Sequence, residues 1–128
     1  MMDNEEVFDI VPIISDALQP ISKLGYTVQT GWYDESIEKT HITFLELTDS
    51  TEDSSDDEEE SVKHLIQVDV WSYDDIESNK LKEKAKALLK KSGFFYEDGE
   101  NIPEIKDNKK FYHRALRFTY CENKIKED

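Results

Sequence analysis

At 128 residues the chain has the length of one ordinary domain with one core. Its net charge of −14, with 36% charged and 37% hydrophobic residues, excludes a simple phosphate-backbone binder, which needs clustered Lys and Arg to displace counterions. A single cysteine, Cys121, excludes an intrachain disulfide scaffold, and no apolar run approaches the length of a membrane span.

The N-terminal residues Met-Met-Asp-Asn-Glu-Glu lack the basic and apolar regions of a signal peptide, so a soluble protein made in a reducing cytoplasm is expected. Residues 7–24 read as a helix, because Ile10, Ile13, Ile14, Ala17, Ile21 and Leu24 recur at spacings of three and four. Asp9 suits its N-cap, and Pro12 is tolerable in the first turn. Pro20 lacks an N–H and predicts a kink or a short second turn near Gln19. Gly25 suits the left-handed residue that ends the segment.

Tyr26 to Trp32 alternates as a strand, and 33–36 is a turn or short loop. Thr40 to Leu47 is a second strand, apolar on both faces through Ile42 and Phe44 on one side and Leu45 and Leu47 on the other. Eight acids and no Lys or Arg fall within residues 49–60, so 48–61 is expected to be a mobile acidic loop. His64 to Ser72 is the clearest strand, with Ile66, Val68 and Val70 on its core face and Gln67, Asp69 and Trp71 on the other.

Asp74 and Asp75 suit the positive end of a helix that runs to about Ser92. Leu81, Ala85, Leu88 and Leu89 form its buried stripe, and Gly93 ends it. Phe94 begins another strand, 97–101 is turn-like, and Pro103 marks an extended connection. Phe111 to Cys121 is the last strand, and 123–128 a frayed tail. The order implies an α+β two-layer sandwich of one domain over 1–128, with its core at about 7–121. It has a mainly antiparallel sheet of four to five strands and two helices on one face. The other face, carrying Trp71, is left partly bare for a partner.

Catalytic motifs are missing from this pattern. His41, His64, His113 and Cys121 do not fall at zinc-binding spacing. There is no Gly-x-Ser-x-Gly elbow and no glycine-rich phosphate loop, and the acidic run lacks the Asp-x-Asp-x-Asp-Gly pattern of a calcium loop. No catalytic residue, metal ligand or cofactor is assigned.

Ile66-Gln67-Val68-Asp69-Val70-Trp71-Ser72 is followed by a Lys/Ala/Leu helix ending Lys91-Ser92-Gly93-Phe94. Near the end comes Phe111-Tyr112-His113-Arg114-Ala115-Leu116-Arg117-Phe118-Thr119-Tyr120. Over residues 7–121 this pattern resembles the small tail-completion or tail-to-head joining proteins, and related minor tail components, of long-tailed bacteriophages and prophages. The resemblance implies a non-enzymatic virion protein without an active site. It would be monomeric in solution and assemble as a ring, often hexameric, between tail tube and head connector, with DNA passing through the lumen without specific binding. It is made in the host cytoplasm and ends in the virion. Ring contacts are then expected from Trp32, Phe44 and Trp71. Asp56, Asp57, Glu58, Glu59 and Glu60 are expected to face the channel or the partner ring. The alternative is an acidic inhibitor that mimics nucleic acid, which would need its carboxylates spread over a rigid surface rather than gathered in one loop.

Overall fold

A computed structural model describes residues 7–53 and 59–125. Its helices are α1 (Ile10–Ala17), α2 (Gln19–Lys23) and α3 (Asp75–Lys91), and its strands β1 (Thr27–Thr30), β2 (His41–Asp53), β3 (Glu59–Ser72), β4 (Phe95–Lys106) and β5 (Lys109–Ile125). The strands form one open sheet in the order β1-β2-β3-β5-β4. All neighbours are antiparallel except β1, which runs parallel to β2. This is the α+β layered arrangement expected from the order of elements.

Local chemistry sets the helix ends. The Asp9 carboxylate accepts the Val11 N–H at 3.0 Å and opens α1. Pro20 lies in the first turn of α2, where its missing N–H costs nothing, so the segment breaks at Leu18 and restarts. Asp74 caps α3 by accepting the Glu77 N–H at 2.9 Å. At the far end Gly93 takes φ 97°, and the Phe94 N–H reaches back to the Leu89 carbonyl at 3.0 Å. Phe94 and Leu89 are both buried, which completes that cap with an apolar contact.

The three helices cover one sheet face. Phe44, Val68 and Leu116 share one rung across β2, β3 and β5, and Ile14, Leu81 and Leu89 pack into the same buried cluster. Each such side chain contributes about 1.5–3 kcal/mol by leaving water.

Two segments differ from the sequence expectation. Residues 48–53 and 59–61 are strand, not loop. Although their side chains are polar, β3 pairs with β2 as far as Asp53–Glu60 and with β5 as far as Glu59–Ile125, so main-chain hydrogen bonds hold them. Residues 54–58 of the expected mobile loop lie outside the described residues, as do 126–128 of the expected tail. The segment 97–101 is also strand, within β4. The real reversal is Asp107–Asn108, both at positive φ (52° and 63°), which joins β4 to β5.

Candidate functional site

The sheet face away from the helices holds the most concentrated chemistry. Alternation along β3 turns Gln67, Asp69 and Trp71 to this side. On the rung of Trp71 stand His41 from β2 and His113 from β5. The His113 ring stacks on the indole with centroids 3.8 Å apart. The Trp71 indole N–H donates to Thr43 Oγ1 at 3.0 Å. Asp69 is fully buried, and its Oδ1 receives Gln67 Nε2 at 2.9 Å and His113 Nε2 at 2.6 Å.

The segment 31–40 roofs this network. Gly31 takes φ 112°, a conformation that suits glycine, and its N–H bonds the Phe44 carbonyl at 2.9 Å. The chain then turns on Asp34, whose Oδ1 accepts the Ser36 hydroxyl at 2.6 Å and the Ser36 N–H at 2.9 Å. These bonds, with one from Gln29, hold the Asp34 carboxyl below its ordinary value. The turn sets Tyr33 against Trp71, His41 and Phe111, with centroids 5.0–5.8 Å apart. Trp32 meets Trp71 and His113 edge to face. The His41 Nδ1 bonds the Lys39 carbonyl at 2.9 Å; a carbonyl only accepts, so this nitrogen carries the proton.

Beside this roof lies a groove of about 600 Å³, walled by Trp32, Tyr33, Trp71, Phe111 and the β4 residues Glu104, Ile105 and Lys106. Lys106 donates to the Tyr33 hydroxyl and sits over its ring, and this bond raises its pKa. The Thr43 hydroxyl is engaged by Trp71, and the His113–Asp69 pair is sealed under aromatic rings. These bonds hold the groove wall in one arrangement.

The residues expected at a subunit contact occupy three different settings. Trp32 is 54% exposed and forms a rim of the groove. Trp71 is 3% exposed, because the 31–40 segment already covers it. Phe44 is 1% exposed and points the other way, into the helix-side core, so it has no surface to offer. The expected bare face is thus covered at its Trp71 end. It stays open at its other end, around Leu65, Arg117 and Thr119. Glu59 and Glu60 belong to β3, while Asp56, Asp57 and Glu58 lie outside the described residues. The alternation that turns Trp71 to this face turns Asp69 with it, but only the pairing of β3 with β5 brings His113 to its carboxylate.

No protein-family model matches the chain, and no curated protein matches it by sequence. Solved structures do match. The fold is similar to that of a chain in the virion of a native gene transfer agent (GTA) particle, which superposes with a TM-score of 0.55 at 11% identity. The match covers 83% of this chain and 88% of that one, so the likeness extends over both folds rather than one shared motif. Among the described residues no helix is long and apolar enough to cross a membrane.

Proposed function

We propose that the protein is a non-enzymatic structural subunit of a phage-like virion. It acts at the joint between tail and head, where copies close into a ring, with six the expected number. Tail-tube and connector proteins are its neighbours, and DNA passes through the lumen without specific contacts. The observation that carries this reading is the fold likeness to a GTA virion chain over most of both chains.

Two features support the finer assignment. Trp32 is a large aromatic side chain held half-exposed on a rigid base of Trp71 and His113, the kind of anchor that dominates interfaces. The acidic hairpin carries β2 and β3 past the last core residues, Phe44 and Ile66, and so offers a projecting element to a neighbour or a channel. Its negative charge opposes premature self-association and keeps a passing polyanion off the wall.

The test is deletion of the gene in a particle-producing host, followed by electron microscopy of the lysate. Free tails and filled heads are expected, with joining restored by the wild-type chain. Intact particles from the deletion strain would remove the reading.

A further inference from the structure

A second cluster lies on the helix side of the sheet, where β2 leaves the core. His64 on β3 stands directly opposite Asp49 on β2. Glu46 and Asp49 are three residues apart, and in a regular strand they would point to opposite faces. A bulge between Glu46 and Thr48 sets two β2 residues against one step of β3. It returns Asp49 to the face of Glu46, so both carboxylates meet His64.

The His64 side chain is 6% exposed, and Phe8 covers its ring at 4.9 Å. Each ring nitrogen faces a carboxylate: Nδ1 lies 2.5 Å from Glu46 Oε2, and Nε2 lies 3.2 Å from Glu122 Oε1. A neutral imidazole has one N–H and satisfies one of these. At the other nitrogen a lone pair would meet an anion, so a cation is required there. A proton would need Glu46 alone. Yet Asp49 is gathered in as well, and one ligand atom each from Glu46, Asp49 and His64 lies within 4.8 Å of the others. Both acids reach the surface, so an ion can approach them from solvent.

We propose that His64 Nδ1, Glu46 and Asp49 form a site for one divalent transition-metal ion, Zn²⁺ foremost, with Glu122 holding the imidazole from behind. One nitrogen and two carboxylates suit Zn²⁺, which is commonly held by three protein ligands and a water. Mg²⁺ and Ca²⁺ take all-oxygen sets. Glu122 accepts the Nε2–H, fixes the tautomer and aims Nδ1 at the ion, the usual carboxylate–histidine–metal relay. The ion ties β2 to β3 at the root of the acidic hairpin.

The experiment is calorimetric titration of the untagged full chain, stripped with chelator, with ZnCl₂ and separately MgCl₂. One Zn²⁺ per chain is expected, without a matching Mg²⁺ response. Asp49→Asn and Glu122→Gln should each weaken Zn²⁺ binding by at least about tenfold. His64→Gln should abolish it, and if that variant fails to fold, Asp49→Asn still decides, because Asp49 is exposed. No binding to the wild type would leave the proton as the only cation at His64 and overturn the site. Binding unchanged in Asp49→Asn would mark adventitious capture by the acidic hairpin and overturn it equally.

Discussion

The His113 imidazole lies flat on the Trp71 indole, with the ring planes 14° apart, and its Nε2 is 2.6 Å from Asp69 Oδ1. The stack fixes the ring and the ring serves the carboxylate. His113→Phe keeps an aromatic on Trp71 but leaves a fully buried carboxylate with Gln67 as its remaining donor, which should cost about 3–5 kcal/mol. Asp69→Asn added to it removes the charge, and the double variant should be more stable than His113→Phe alone. Urea unfolding of the four proteins measures the coupling, and additive costs would contradict it.

That pair also shows what the sequence made legible. Strand alternation was enough to place Gln67, Asp69 and Trp71 on one face and Ile66, Val68 and Val70 on the other. Caps were equally plain, because Asp9, Pro20, Asp74 and Gly93 each act on a neighbour within five residues. The roof over Trp71 was not legible. It depends on Gly31 and Asp34 turning the 31–40 segment back over β3, a contact about forty residues away in sequence. Nor was the His64 cluster, since a bulge shifts the side of the sheet that every following β2 residue faces. The acidic strands were hidden because their pairing is a main-chain property that side-chain hydrophobicity does not report.

The β4–β5 turn gives a second prediction. Glu97-Asp98-Gly99-Glu100-Asn101 has turn composition, yet Gly99 is a strand position crossed by the Tyr96 side chain, while Asp107 and Asn108 take the left-handed conformation. Two consecutive positive φ values make the twisted two-residue reversal that glycine and asparagine favour. Asn108→Val should therefore cost about 1–2 kcal/mol, and Asn108→Gly should be neutral or slightly stabilising. Thermal melts of the two variants compare them directly. Equal melting temperatures would mean that the turn carries no conformational preference.

A pH dependence follows from Tyr26. Its hydroxyl donates to Glu77 Oε2 at 2.8 Å and links the start of β1 to α3. That bond, then burial, then the Glu77 charge raise the tyrosine above its ordinary value of 10.0. A raised folded value means that the bond stabilises the fold fully below the unfolded tyrosine value. The contribution is lost as pH rises through the folded one. The stability difference between wild type and Tyr26→Phe should be constant from neutral pH to about pH 9 and shrink above about pH 10. A difference that grows with alkalinity would reverse the assignment.

The interface proposal predicts a separation of folding from assembly at Trp32. Its ring lies 5.3 Å from Trp71 and 5.6 Å from His113, edge to face, and more than half of the side chain faces solvent. Trp32→Ala therefore loses one aromatic pair, worth about 0.5–1.5 kcal/mol, while Tyr33 and Phe111 still cover the buried tryptophan. If Trp32 anchors the subunit contact, the same truncation removes at least about 2 kcal/mol at each interface, and a ring multiplies that loss by its number of contacts. Ile76, 70% exposed at the start of α3, is the matched control, because it lies apart from the groove. Trp32→Ala should melt close to wild type and fail to restore joined particles to the deletion strain, while Ile76→Ala restores them. Joined particles with Trp32→Ala would take the contact away from this groove, whereas failure of both variants would show that joining is sensitive to any surface truncation.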